Sequence, residues 1–191
     1  MAIIRRIDYS PTLKITAQKL DITGEFLWVA YEQNNSGNCI INKVDSFNPS
    51  DIYISLTKSV IQVNKLDINA THLFTAYDDD TLFGEIISLT SPFSIPTQIS
   101  IPGGVNEAPI DIKISDTYIY FLTPGIASGE NAKIVRYLID GTYDTIIDLT
   151  NTNDTVYNAN SMTIASPNEI WVSTNETPSN IVRVYQEILY T

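Results

Sequence analysis

The sequence predicts an all-β chain assembled from four copies of one unit of short strands. Three observations carry that prediction. A strand-like motif recurs at a step of 46 residues. The segments within each copy are short, rich in β-branched and aromatic residues, and separated by turn residues. No stretch sustains a 3.6-residue apolar period with helix caps, so almost no helix is expected.

The repeat opens each copy with two strands. Lys19-Leu20-Asp21-Ile22 precedes Phe26-Leu27-Trp28-Val29-Ala30-Tyr31, and Lys65-Leu66-Asp67-Ile68 precedes His72-Leu73-Phe74-Thr75-Ala76-Tyr77. A third copy runs Asp111-Ile112-Lys113-Ile114, then Tyr118-Ile119-Tyr120-Phe121-Leu122. A fourth runs Ser161-Met162-Thr163-Ile164, then Glu169-Ile170-Trp171-Val172, with a step of 50 absorbed in loops. Two further strands follow in each of the first three copies: Cys39 to Val44 and Ile52 to Leu56, Gly84 to Leu89 and Gln98 to Ile101, Lys133 to Leu138 and Thr145 to Leu149. Thr23-Gly24, Asn48-Pro49, Pro102-Gly103-Gly104, Asp140-Gly141 and Ser166-Pro167-Asn168 punctuate them.

The fourth copy has three recognisable strands before the chain stops at Thr191. Offsetting the outer strand of copy one by 46 lands on Arg5 to Ser10, a strand-like segment without a copy of its own. Four repeats with a displaced terminal strand resemble the β-propeller superfamily over nearly the whole chain. The resemblance implies one domain, 1–191, with blades at about 14–57, 58–102, 103–150 and 151–191 plus 3–10. The N-terminal strand would then close the last blade and hide a sheet edge. No Gly-His…Trp-Asp signature, kelch double glycine or Asp-box narrows the family. A β-sandwich is the alternative architecture, but it does not predict so regular a repeat.

Composition bounds the partners. The formal net charge is −11, from 22 acids against 11 bases. That field disfavours the nucleic-acid backbone and anionic lipid surfaces. The longest wholly apolar run, Phe26 to Tyr31, is far shorter than the roughly 20 residues of a membrane helix. The first residues lack the layout of a signal peptide, so a virion or cytoplasmic location is expected. A single cysteine, Cys39, excludes an internal disulfide framework and reads as a small core hydrophobe.

Catalytic groups are sparse. The single histidine, His72, falls in a turn with no nucleophile or orienting acid beside it. One His and one Cys leave no usual zinc set, and Gly103-Gly104 lacks the spacing of a phosphate loop. The densest polar cluster is Asp78-Asp79-Asp80 with Glu85, a candidate calcium set because hard cations take 6–8 oxygen ligands. It also fits a solvated loop. Equivalent loops carry Glu32, Asn34, Asn35, Asn38, Glu130, Asn131, Asn175 and Glu176, so one face is expected to be acidic and amide-rich.

On the first strands, Lys19, Asp21, Lys65, Asp67, Asp111 and Lys113 are expected to meet as a polar ring along a central channel. Trp28, Phe74, Tyr120 and Trp171 recur once per copy and are expected in the core. Tyr9, Tyr31, Tyr77, Tyr143, Tyr157 and Tyr190 are the expected exposed aromatic contacts. Sequons at Asn34, Asn69, Asn153 and Asn175 read as incidental.

The expected function is a non-enzymatic structural or interaction module that joins other protein subunits, and itself in a homo-oligomer. A bacteriophage or other virion component, such as a fibre, tail or capsid decoration, fits this description, and so does a lectin-like glycan binder. No cofactor other than calcium is implied. The module reading predicts an apolar or aromatic patch on one face.

Overall fold

The computed structural model describes residues 13–33, 38–48, 51–60, 62–79, 81–125, 130–150, 156–166, 168–175 and 180–185. All regular structure in them is strand. The first sheet holds β1 (Leu13–Leu20), β2 (Phe26–Gln33), β3 (Asn38–Asp45) and β4 (Ile52–Lys58). The second holds β5 (Gln62–Ile68), β6 (His72–Asp78), β7 (Leu82–Ser88) and β8 (Thr97–Ser100). The third holds β9 (Asp111–Ile114), β10 (Tyr118–Thr123), β11 (Lys133–Leu138) and β12 (Tyr143–Asp148). The fourth holds β13 (Ala159–Ser166), β14 (Glu169–Thr174) and β15 (Ile181–Tyr185). Every sheet is an antiparallel meander, with hydrogen bonds between consecutive strands only.

One turn motif recurs at four places. A side chain at Asp or Asn, two residues before a threonine, accepts the threonine amide. Asp21 does so for Thr23, Asn69 for Thr71, Asp79 for Thr81 and Asp140 for Thr142, at 2.7–3.2 Å. These Asx turns satisfy backbone donors that the strands leave behind. Asn69 belongs to a sequon, and its side chain is engaged in the turn itself.

Alternation along the second strands builds the core. Strand residues point to opposite faces in turn. Trp28 and Ala30 therefore face the second sheet, where Leu66, Leu73, Tyr77 and Ile87 meet them. Phe74, Ala76 and Ile86 face the third sheet and pack on Ile112, Ile119 and Phe121. Tyr120, Leu122 and Ile134 face the fourth sheet and pack on Met162, Ile170 and Val172. Each of the two inner sheets is covered on both faces, which a two-layer sandwich does not provide. Burying one such apolar side chain stabilises the fold by roughly 1.5–3 kcal/mol.

Gly84 is dictated by packing. A Cβ there would lie 1.7 Å from the carbonyl oxygen of Thr75. The backbones of β6 and β7 close up at this point, and the Thr75 hydroxyl accepts the Glu85 amide at 2.8 Å. The same clasp recurs where Thr123 accepts the Lys133 amide and Thr174 the Asn180 amide, both at 3.2 Å.

Two expectations need correction. First, the four sheets do not form a closed ring among the described residues. The inner strands β1, β5, β9 and β13 adjoin in succession, but no comparable contact joins the fourth sheet to the first among the described residues. The strand expected to close the ring, 3–10, lies outside those residues. Second, the register of the first copy is displaced. Trp28 pairs with Lys19, Phe74 with Asp67, Tyr120 with Lys113 and Trp171 with Thr163. Lys19 is thus equivalent to Asp67, not to Lys65. The cause is a β1–β2 turn two residues longer than its counterpart, which lifts Asp21 off the strand and into the turn.

Candidate functional site

The polar residues of the inner strands form a seam between sheets. Asp67 Oδ1 lies 2.7 Å from Lys19 Nζ of the first sheet and 3.0 Å from the amide of Ile68. Its Oδ2 accepts the amide of Ile114, in the third sheet, at 3.0 Å. Asp111 repeats the pattern one sheet on. Its Oδ1 accepts the Ile112 amide and the Lys113 ammonium, both at 3.0 Å, and its Oδ2 accepts the Met162 amide at 2.9 Å. Both carboxylates are buried and fully used. Of the six expected ring residues, four form two separate ion pairs, Lys19 with Asp67 across two sheets and Lys113 with Asp111 within β9. Lys65 is exposed, and Asp21 caps the first turn through Thr23 and Phe26. The seam is a set of staples and leaves no carboxylate open to a ligand.

A second buried polar group ties the first sheet to the second. Glu85 Oε2 accepts the Tyr77 hydroxyl at 2.8 Å and lies 2.7 Å from Lys58 Nζ. Burial pushes the Tyr77 phenol well above its ordinary range, and the Glu85 carboxylate adds to the effect. Burial likewise pushes the Cys39 thiol up to about 12. Tyr31 occupies the equivalent place in the first sheet, buried and bonded to Asn42. The expectation of exposure therefore fails for Tyr31 and Tyr77. It holds for Tyr143, while Tyr157 is half-buried and Tyr9 and Tyr190 lie outside the described residues.

The expected calcium set is dispersed. Glu85 is committed to Lys58 and Tyr77. Asp79 Oδ1 accepts from the Thr81 hydroxyl, the Thr81 amide and the Leu82 amide at 2.7–3.0 Å, and these bonds, the hydroxyl first, hold its carboxyl below the ordinary range. Asp78 is exposed, and Asp80 lies outside the described residues. Among the described residues no three His, Cys, Asp or Glu side chains gather as a metal would require. His72, expected in a turn, is instead the first residue of β6, paired with Ser88, with Nδ1 at 2.8 Å from the Thr71 hydroxyl.

Meander topology sorts the surface into two ends. One end carries the turns between first and second and between third and fourth strands. The other carries the second-to-third loops and the links between sheets. Among the described residues the exposed large apolar side chains concentrate at the first end: Leu20, Ile22, Phe47, Ile52, Tyr53, Phe93, Ile95 and Tyr143, with only Ile15 and Ile181 elsewhere. Ile95 is 96% exposed. The Phe26 ring, in edge contact with Tyr53 at 5.1 Å and under the Lys43 ammonium at 3.8 Å, braces this end. Near the inner strands a depression of about 470 Å³ is lined by Ile22, Ile68, Asn69, Thr71, Ile114 and Asp116. Between the second and third sheets, Tyr143 stacks edge-on against Tyr137 and lines a separate groove with Gln98, Pro102 and Gly103.

The opposite end is acidic and amide-rich. A depression of about 630 Å³ there is lined by Asn64, Asp78, Asn106, Glu107, Ile110 and Pro124. Its polar groups are largely tied to one another. Asn106 donates to Glu130 at 2.6 Å, Gly125 donates to Glu107 at 2.7 Å, and Asn64 donates to the Pro109 carbonyl at 2.9 Å.

Known structures share this architecture. The chain is similar to the β-propeller domain of Cps50 (Swd1) from Myceliophteria thermophila, with a TM-score of 0.65 at 10% identity over 93% of this chain and 55% of that one. It is similar to the WD40 β-propeller domain of Doa1, with a TM-score of 0.57 at 14% identity over 84% of this chain and 48% of that one. It is also similar to apo AztD from Citrobacter koseri, with a TM-score of 0.51 at 10% identity over 91% of this chain and 50% of that one. The fold is thus that of β-propeller domains, and the chain spans about half the length of those it matches. No protein-family profile and no curated protein matches it. No helix among the described residues is long and apolar enough to cross a membrane.

Proposed function

We propose that the chain is a non-enzymatic protein-interaction module whose docking surface is the apolar turn end. The observation that carries this is the segregation of exposed large apolar side chains to one end. Scattered exposed hydrophobes are ordinary, whereas a concentration on one face marks an interaction surface. The side chains sit on turns braced by Asx bonds at Asp21, Asp45 and Asp140 and by serine bonds at Ser88 and Ser91, so little ordering entropy opposes binding. The partner is a protein presenting an apolar surface of its own, since the net charge of −11 disfavours nucleic acid and anionic membranes. Assembly into a larger particle, such as a virion fibre, tail or capsid decoration, is the finer form of this reading.

The test compares complexes isolated from the source cells with three tagged chains. These are the wild type, Phe93→Asp/Ile95→Asp at the apolar end, and Asp78→Asn at the acidic end. Partners lost with the first variant and retained with the second are expected. The same partners in all three samples would refute the assignment of the surface. Glycan binding is a second reading, favoured by one observation, the Tyr143 groove with Gln98 beside it. It requires selective capture of related sugars by the wild type and loss with Tyr143→Ala.

A further inference from the structure

The first turns of three sheets are built alike. The amides of Asp21, Asn69 and Ser115 donate to the carbonyls of Phe26, His72 and Tyr118 at 2.9–3.0 Å. Each of the three side chains then accepts from its own turn: Asp21 from the amide of Thr23, Asn69 from those of Thr71 and His72, and Ser115 from that of Tyr118. The side chain after each of them is not needed for the turn. These residues are Ile22, Ala70 and Asp116, and all three line the depression of about 470 Å³ together with Ile68 and Ile114.

Ile22 is 66% exposed and Ala70 adds only a methyl group, so two of the three turns offer apolar surface. Asp116 is exposed, and among the described residues no hydrogen bond or ion pair engages its carboxylate. The fold has no use for this charge. Nearby bases are taken, Lys19 by Asp67 and Lys113 by Asp111. The same end carries Asp21, Glu25, Asp45, Asp51 and Asp140, none in an ion pair among the described residues. They alternate with exposed apolar residues, as in Leu20-Asp21-Ile22 and Asp51-Ile52-Tyr53. Lysine and arginine suit such a surface, because the aliphatic stem lies along apolar side chains while the charged head reaches an acid.

On the reading of the turn end as the docking surface, we propose that this depression receives a lysine or arginine side chain of the partner, with the Asp116 carboxylate as its counter-ion and Ile22 against its stem. The partner's contact segment interleaves basic and apolar residues. One exposed ion pair contributes little by itself. The acids together steer a basic segment and fix its register, while the apolar contacts hold it.

The probe is a fluorescent peptide of interleaved lysine and leucine, titrated with the full chain at physiological salt and followed by anisotropy. Two counterparts carry glutamate in place of lysine, or serine in place of leucine. The lysine–leucine peptide should bind about tenfold more tightly than either. Asp116→Lys should weaken its binding about tenfold and Ile22→Ser about threefold, with the melting temperature unchanged because neither side chain holds its turn. Asp78→Lys makes the same change of charge at the acidic end and should cost less than about twofold. Asp116→Asn repeats the test with a smaller change should the lysine variant unfold. Equal losses with Asp116→Lys and Asp78→Lys, or equal binding of the serine counterpart, would show attraction by net charge alone and overturn the proposal. So would a lysine–leucine peptide that does not bind. Complexes isolated from the source cells separate this contact from the surface it needs. Partners lost with Phe93→Asp/Ile95→Asp but kept with Asp116→Lys leave the docking surface in place and overturn the cationic contact. Partners kept with both variants overturn the surface itself.

Discussion

The carboxylate of Asp111 accepts the backbone amide of Met162 at 2.9 Å, joining the inner strand of the third sheet to that of the fourth. Asp67 does the same for Ile114 between the second sheet and the third. In each case the second oxygen holds the amide of the next residue and a lysine ammonium. Inner strands of neighbouring sheets do not share a hydrogen-bond ladder, so these carboxylates supply the acceptors that their buried amides need.

Asp111→Ala should therefore destabilise the chain by about 3 kcal/mol, since hydrogen bonds to a charged group are worth about 1.5–3 kcal/mol and an unmet buried amide adds to the loss. Asp111→Asn keeps one acceptor and should lose roughly half as much. Asp67→Ala should behave alike, and the two alanine changes together should exceed the sum of the singles if the third sheet loosens as a unit. Urea unfolding of the four variants measures this. Stability unchanged in the double variant would rule out the seam as a structural element.

Much of this seam was legible in the sequence, and the part that was not has a clear physical origin. The recurrence of charged residues on first strands placed Lys19, Asp67, Asp111 and Lys113 along the seam. The exact partners depended on strand register, which the longer turn at Asp21 to Glu25 shifts by two residues in the first copy. Likeness of Lys-Leu-Asp-Ile in two copies concealed that shift, because identical letters occupy different heights on their sheets. The four repeats and the buried Trp28, Phe74 and Tyr120 followed from periodicity alone. Tyr31 and Tyr77 were misjudged because a hydroxyl near a strand end reads as solvent-seeking, whereas Asn42 and Glu85 satisfy it inside. The staple to the next sheet's amide had no signal at all, since backbone partners leave no residue type behind. The Asp/Asn-x-Thr spacing of the turns was a signal that could have been read.

The Lys58–Glu85 pair offers a sharper test of buried charge. Lys58→Met leaves the Glu85 carboxylate buried beside Tyr77 without its cation, and should cost about 3–5 kcal/mol. Lys58→Met with Glu85→Gln removes both charges and should recover most of that loss, because the Gln side chain still accepts from the Tyr77 hydroxyl. Thermal or urea unfolding of the two variants distinguishes a desolvated pair from a surface one. An effect under about 1 kcal/mol for Lys58→Met would mean that water reaches the pair.

Gly84→Ala is expected to be the most damaging single methyl in the chain. The new Cβ would sit 1.7 Å from the Thr75 carbonyl oxygen and 2.8 Å from its carbon, so the β6 and β7 backbones must separate. Overpacking of this kind costs typically about 1–3 kcal/mol, and more where backbone is the obstacle. Gly103→Ala is the control, since nothing lies within 4 Å of its Cβ position. A melting temperature lowered by Gly84→Ala and unchanged by Gly103→Ala is the expected pair of results.

Cys39 links stability to pH in a defined direction. Burial raises its folded pKa from 9.0 to about 12, so the folded chain favours the neutral thiol. A group raised on folding contributes stability that is fully present below its unfolded pKa and is lost as pH rises toward the folded value. The chain should thus lose stability between pH 9.0 and about 12 relative to Cys39→Ala, in which this contribution is absent. Urea midpoints for the two proteins at several alkaline pH values measure the difference, and the common effects of tyrosine and lysine ionisation cancel in it. Thiol reagents supply a second readout at pH 8. The native chain should react slowly, and one thiol per chain should appear on unfolding. Rapid labelling of the native chain would show that the first and second sheets part readily enough to expose Cys39, and the buried Lys58–Glu85 pair beside it would then be solvated as well.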